Sequence, residues 1–467
     1  MKIFGNSIWQ FLSWLSFFLL ILSPQLFSEG MFMDGIYYAT IARNMAEGIG
    51  TFWDPTFTQT LGEHFYDHPP LAFGLQSLFF SAFGDYFWVE RLYSLLCYLF
   101  TAILMLYTWK LIAEKSELKW GILSLFLWIS IPKIIWGAPN NLLENTSMIF
   151  LLSSVILQIQ YFKNKQFAFG FFAGLFLFTG FLTKGPTALF PLSFPFFFGI
   201  INQQWRAVLR IYLFLFAGLF TPFFILWLFI PEGWNALESY LNIQVLASLK
   251  NVQSVDSRFY ILRRFFEEIL LILILCLISW AVRKYGLKKK ANFTSIYFWP
   301  LVLCGLSGVL PIMISMKQST FYIIPTFSLF CLAANLFLIN QLQLIFDKKS
   351  YRLFSTKLLL PFSLILFIGA IGVNSHFFGI HVRDKDKLTD IKMCIQALPQ
   401  EATIQIGSEL FREWSYYAYF YRYGKISLSP EPQAYLLKAK NNKAETEDFK
   451  RLSQPLKTLD LYQKQHK

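Results

Sequence analysis

Apolar runs near 20 residues long recur through the first 380 positions, with short polar breaks between them. Each is long enough to cross about 30 Å of hydrocarbon. The runs lie near 8 to 28, 88 to 109, 120 to 137, 146 to 162, 167 to 183, 185 to 201, 208 to 230, 261 to 282, 293 to 315, 321 to 343 and 358 to 379, and they predict about eleven membrane-spanning helices. Between the first two, residues 29–87 form a polar loop. In it Tyr38, Ile41, Ala42 and Met45 fall at i, i+3, i+4 and i+7, with Thr40, Arg43, Asn44 and Glu47 elsewhere. That spacing predicts an amphipathic helix lying flat on a bilayer surface, ended by Gly48 and Gly50. Beyond 380 the pattern changes. Asp390 to Leu398 has the spacing of a short helix, Thr403-Ile404-Gln405-Ile406 alternates like a strand, and the Lys-, Glu- and Gln-rich stretch from Lys438 to Lys467 has the composition of a loosely ordered tail. The expectation is an all-α polytopic membrane domain, 1–380, followed by a small α/β domain, 381–467.

Composition supports this class, since 55% of residues are hydrophobic, 19% aromatic and only 15% charged. The first run follows Lys2 as a secretory signal would, but Ser23-Pro24-Gln25 is a poor small-residue cleavage site, so the run is expected to stay as a span. With the N-terminus in the cytoplasm, Lys110, Lys115, Lys119, Lys163, Lys165, Arg206, Arg210, Arg283, Lys284, Lys288, Lys289, Lys290, Lys348, Lys349, Arg352 and Lys357 all fall in cytoplasmic loops. The net charge of +13 therefore reports topology and gives no reason to expect nucleic-acid binding. The same assignment puts the 29–87 loop, the turns at 140–146, 183–186 and 316–320, and the C-terminal domain outside. The five cysteines have no metal spacing and imply no disulfide framework.

An ordered set of motifs lies on that outer face: Asp34-Gly35-Ile36-Tyr37-Tyr38, Asp67-His68-Pro69-Pro70-Leu71, Phe83-Gly84 and Arg91-Leu92. The set resembles the membrane glycosyltransferases that use polyprenyl-phosphate sugars. Their members include the aminoarabinose transferases of lipid A, the protein O-mannosyltransferases and the galacturonosyltransferases of lipopolysaccharide core. The resemblance covers roughly the first 330 residues and implies a GT-C architecture.

Each candidate residue has a plain structural reading beside the functional one. Asp34 could N-cap its helix; the resemblance makes it the base that takes a proton from an acceptor hydroxyl, or a ligand of a divalent cation. Glu144 could complement a helix dipole. The resemblance places a second site acid in this turn, commonly Asp, for a metal or for orienting the acceptor. Lys184, in Thr183-Lys184-Gly185-Pro186, has no acidic neighbour in sequence; it could snorkel to water, or bind the donor phosphate as the matching turn implies. His68 stands where relatives carry Lys, and could donate to a phosphate, ligate a metal or hold a turn. Asp67 beside it is a further candidate ligand. Lys317 and Tyr322, in Lys317-Gln318-Ser319-Thr320-Phe321-Tyr322-Ile323-Ile324-Pro325, resemble a segment that faces the lipid phosphate. Arg258 and Tyr260 could add phosphate contacts or anchor the membrane boundary.

The resemblance implies transfer of a sugar from a polyprenyl-phosphate donor to an envelope lipid, glycan or protein, with inversion, outside a bacterial inner membrane. A divalent metal at Asp34 and Glu144 is the one cofactor it suggests. A transporter or flippase of lipid-linked sugars is the alternative, and would be expected to show internal repeats and mid-membrane helix breaks, whereas these charges gather at one face. A structural scaffold would leave the ordered motifs unexplained.

Overall fold

The structure, a computed structural model, describes residues 8–113, 120–246, 253–286, 295–345, 356–440, 448–452 and 456–465. Of the basic loop residues, Lys115, Lys119, Lys288, Lys289, Lys290, Lys348, Lys349 and Arg352 lie outside these. The first part is an all-helical bundle: α1 (Ile8–Leu22), α2 (Met33–Ala46), α3 (Leu71–Phe83), α4 (Val89–Ile112), α5 (Gly121–Ile129), α6 (Pro132–Gly137), α7 (Leu143–Asn164), α8 (Phe167–Lys184), α9 (Phe194–Asn202), α10 (Trp205–Phe229), α11 (Pro231–Tyr240), α12 (Tyr260–Ala281), α13 (Phe298–Val309), α14 (Phe327–Ile345) and α15 (Thr356–His376). Each of the eleven expected runs coincides with a helical segment. Among the described residues six helical stretches are long and apolar enough to cross a membrane, or seven with α5 and α6 taken together. Pro132 starts α6 and has no N–H to continue the α5 ladder, and the two segments meet at 75°.

One of those six, Phe167–Asn202, is 36 residues long. Straight, it would extend about 54 Å, nearly twice the hydrocarbon thickness. It instead reverses at Gly185, whose φ of 73° suits glycine, and its two ends meet again where the Lys165 ammonium donates to Gln204 at 3.1 Å. The segment is therefore a hairpin of two spans. α8 and α10 approach through glycine: a Cβ on Gly174 would sit 2.1 Å from the Leu215 carbonyl oxygen, and one on Gly218 1.9 Å from that of Phe171. Close backbone approach of this kind is how helices gain contact in lipid, where hydrophobic driving force between them is lacking. Trp14 of α1 is fully buried and donates to the Leu125 carbonyl at 3.1 Å, so the first run is part of the bundle core.

The C-terminal part has α16 (Lys385–Ala397), β1 (Thr403–Ile406), α17 (Trp414–Gly424), β2 (Ser427–Ser429), β3 (Tyr435–Ala439), β4 (Phe449–Arg451) and β5 (Leu459–Lys464), with sheet order β2-β1-β3-β5-β4. β1 runs parallel to β2 and β3, and the rest is antiparallel. The stretch expected to be a loose tail supplies two of these strands. Leu437 pairs with Leu461, and Leu459 and Leu461 are buried, an apolar anchor that the surrounding Lys and Glu residues mask in composition.

The expected helix α2 forms, but its polar side does not face water: Thr40, Arg43 and Asn44 are buried. Asn44 donates to the carbonyls of Thr56 and Phe57 at 2.9 and 2.8 Å. Arg43 donates to Asp85 and to the Tyr421 carbonyl, both at 3.1 Å. Arg422, 2% exposed, meets fully buried Glu90 at 3.0 Å and also contacts Asp85. Tyr419 donates to the Met31 carbonyl at 3.0 Å. The polar side of α2 thus faces the C-terminal domain through α17, and the pairing of buried charges explains why it tolerates exclusion from water.

Candidate active site

The start of α2 is held by the turn before α7. The Phe32 N–H donates to Asn140 Oδ1 at 2.7 Å, and Asn141, in the left-handed region at φ 47°, donates to the Gly35 carbonyl at 3.1 Å. Glycine is required at 35, because a Cβ there would lie 2.1 Å from the Asn140 carbonyl oxygen. Arg91 of α4, buried, donates to the carbonyls of Pro139 at 2.5 Å and Gly30 at 2.6 Å, and Ser94 donates to that of Ala138 at 2.5 Å. One helix therefore clamps both segments, and Asp34 and Glu144 are brought together although they are far apart in sequence. Arg91 was legible in the sequence only as a landmark; its work is positional.

Asp34 does not cap α2. It is the second residue of the helix, whose N-cap is Phe32 without a side-chain bond, and its carboxylate has no hydrogen-bond or ion-pair partner among the described residues. Glu144, in the first turn of α7, is 1% exposed, and the Lys184 ammonium at the end of α8 lies 2.9 Å from its Oε1. The reading of Lys184 as a cation without an acidic neighbour is thus corrected: its neighbour comes from another helix. The contact is ionic, and neither Glu144 oxygen accepts a hydrogen bond. Lys184 also lies 5.3 Å from the centre of the Tyr322 ring, a cation–π distance.

Lys317 donates to Gln244 Oε1 at 2.9 Å, and His68 Nε2 lies 3.1 Å from the Tyr38 hydroxyl. These groups converge on a cavity of about 480 Å³. Asp67, His68, Lys184, Gln244, Lys317 and Tyr322 form its polar end, and Phe190, Pro311, Ile312 and Ile314 its apolar wall. Ile314 is 65% exposed, so the apolar end opens outward. Asp34 stands beside this cavity without lining it, close enough to Lys184, Lys317 and Glu144 to feel their charge. Arg258 is exposed at the rim, where it donates to the carbonyl of Ile314, and Tyr260 pairs with Thr320 at 3.3 Å; neither lines the cavity. Gln244 and Tyr38 were not singled out by sequence. Tyr38 carried a signal, four residues after Asp34 on one helix face.

Burial pushes the Asp34 carboxyl up to about 6, against the pull of Lys184 and with a push from Glu144, while Lys317 also opposes the rise. Burial and the same two cations hold the His68 ring well below its usual value, so it is neutral at pH 7 and acts by hydrogen bonding, not charge. The donor set does not fit a divalent cation well. Among the described residues no three His, Cys, Asp or Glu side chains gather in a ligating group, and the ammonium of Lys184 already contacts Glu144.

A many-spanning helical bundle, two juxtamembrane helices in its first large loop, a small α/β domain over that loop and a polar-headed cavity make up an ArnT-like GT-C fold. Residues 67–231 match the family model described as dolichyl-phosphate-mannose-protein mannosyltransferase. The fold is similar to that of ArnT from Cupriavidus metallidurans bound to undecaprenyl phosphate, with TM-score 0.65 and 12% identity over 96% of this chain and 97% of that one. The apo form of ArnT gives a TM-score of 0.67, also at 12% identity and with 96% of each chain covered. The oligosaccharyltransferase AglB from Archaeoglobus fulgidus, in complex with an inhibitory peptide and a dolichol-phosphate, gives 0.53 at 12% identity, with 94% of this chain and 70% of that one covered. No curated protein sequence matches. At such identities the likeness is one of fold.

Proposed function

We propose that this protein transfers a sugar from a polyprenyl-phosphate donor to a hydroxyl of an envelope lipid, glycan or protein. The reaction takes place at the face of a bacterial inner membrane that lies outside the cytoplasm. The observation that carries the reading is the cavity itself: two ammonium groups, a phenol and a neutral imidazole at one end, and an outward-opening apolar wall at the other. A phosphate on a long hydrocarbon chain matches both ends, and the undecaprenyl phosphate bound by ArnT is a ligand of that chemistry.

In the transfer step the acceptor oxygen forms a bond to the anomeric carbon as the bond from that carbon to the phosphate oxygen breaks. The electron pair leaves with the polyprenyl phosphate. Lys184 and Lys317 stabilise the charge that grows there, and His68 and Tyr322 can donate hydrogen bonds to it. The acceptor proton passes to Asp34. Its pKa near 6 leaves the carboxylate ionised at neutral pH and more basic than an ordinary aspartate. One displacement inverts the anomeric centre. Glu144 keeps Lys184 in place through their ion pair. No metal is used in this step. The test is mass spectrometry of envelope glycolipids and glycoproteins from cells with the gene, without it, and with Asp34→Asn. A sugar that disappears in the second and third together supports the reading; identical profiles in all three overturn it.

A further inference from the structure

On the opposite face of the bundle, the turns joining α7 to α8 and α9 to α10 border a second, open cavity of about 1030 Å³. α7 begins beside Lys184 and ends here 22 residues later, about 33 Å away, so the two cavities are separate sites. Lys165, Arg206 and Arg210 line it, and none of its lining residues is acidic. Arg206 and Arg210 are one turn apart on α10, where like charges repel. Among the described residues neither has a carboxylate or hydrogen-bond partner. α10 also begins without a side-chain cap and without an acid in its first turn, so its free N–H groups add to the positive field. The preference of basic residues for one membrane side accounts for each cation singly, but not for three of them, all exposed, converging on one open pocket. The remaining wall is aromatic, with Trp205, Phe167 and Phe214. Phe167 of that wall is 65% exposed, and Leu209, next to Arg210 on α10, is 72% exposed, as residues that face lipid chains are.

We propose that this cavity binds the anionic head group of a membrane phospholipid, with the phosphate between Arg206, Arg210 and Lys165 and the acyl chains along the exposed side of α10. Two guanidinium groups suit a phosphate diester, and the apolar rim favours a lipid over a soluble anion.

The test uses the full chain in neutral detergent, titrated with dioctanoyl phosphatidylglycerol, dioctanoyl phosphatidylcholine or inorganic phosphate, with occupancy read by native mass spectrometry. Phosphatidylglycerol is expected to bind at least tenfold more tightly than phosphatidylcholine. Arg206→Gln with Arg210→Gln should remove that preference while leaving undecaprenyl-phosphate binding unchanged. Should the double variant fold poorly, Lys165→Gln, which lies outside α10, is expected to reduce the preference at least threefold. Equal binding of the two lipids, an undiminished preference in the folded variants, or inorganic phosphate binding as tightly as phosphatidylglycerol would each overturn the proposal.

Discussion

Gly35→Ala isolates the contact that sets the distance between Asp34 and Glu144. Two effects oppose each other. Alanine in place of glycine inside a helix favours the helix by about 1 kcal/mol. The added methyl would lie 2.1 Å from the Asn140 carbonyl oxygen and 2.9 Å from its carbon, where real Cβ contacts essentially never fall below 3.0 Å. Met31 Sδ, at 2.8 Å, is flexible and can yield, but the Asn140 backbone is fixed by Arg91 and Ser94 through the neighbouring carbonyls. α2 must therefore retreat by about 1 Å, and overpacking of this kind costs about 1 to 3 kcal/mol. The net loss of stability is then about 0 to 2 kcal/mol. Catalysis should suffer more, since a misplacement of about 1 Å can lower a rate by about 100-fold. The assay is the initial rate of sugar transfer in nanodiscs, with donor-lipid affinity and thermal melting measured on the same preparations. The expected result is a rate reduced by about two orders of magnitude with donor affinity within about threefold, because Lys184 and Lys317 stand on other elements. A variant that melts higher than wild type and transfers sugar at the full rate would refute the reasoning, and helix propensity would then be the only effect at that position.

Asp34→Asn, which keeps size and removes charge, should abolish transfer and leave donor binding intact; activity within about threefold of wild type, about 0.7 kcal/mol in barrier, would exclude it as the base. Since the raised pKa of Asp34 is near 6 and the ionised form is the base, kcat/KM should rise with pH through about 6 and level off above it, and a flat profile between pH 5 and 8 would contradict that role. Lys184→Ala should weaken donor binding by about tenfold or more and, by leaving buried Glu144 without its counter-charge, lower stability by about 3 to 5 kcal/mol; adding Glu144→Gln should restore the melting temperature but not the affinity, and recovery of both would make Lys184 purely structural. Arg422→Gln, which strands Glu90, should loosen the C-terminal domain from α2 and show as faster amide exchange in α17, with unchanged exchange rejecting the docking role. Dialysis against a chelator should leave the transfer rate unchanged; loss of activity restored by a divalent cation would overturn the metal-free step.

The sequence by itself determined the class of architecture, because each span must satisfy its own backbone hydrogen bonds in hydrocarbon and so declares itself as an apolar run of the right length. Asp34, Glu144, Lys184, His68, Lys317 and Tyr322 could be picked out because they fall in motifs that resemble those of the polyprenyl-phosphate glycosyltransferases, placed at the ends of such runs or beside Pro and Gly turns. What tertiary structure alone decided is how these residues meet. The Lys184–Glu144 pair joins two helices, Arg91 ties one turn to another through backbone carbonyls, and Gln244 reaches Lys317 from the helical turn that follows α11. None of these has a local signature, since periodicity reports only which face of an element is apolar, not which element will cover it. The same limit explains α2. Its pattern is that of a helix with one face to water, and nothing within it reveals that Arg43 and Asn44 would be covered by α17 and by the loop after them. Likewise the pairing of β3 with β5 depends on Leu437 meeting Leu461 with β4 between them in sequence, a contact that a composition rich in Lys, Glu and Gln conceals. Burial, which lifts the Asp34 carboxyl and keeps His68 neutral, is a property of the assembled site, and so the charge states that govern the chemistry were decided only by the fold.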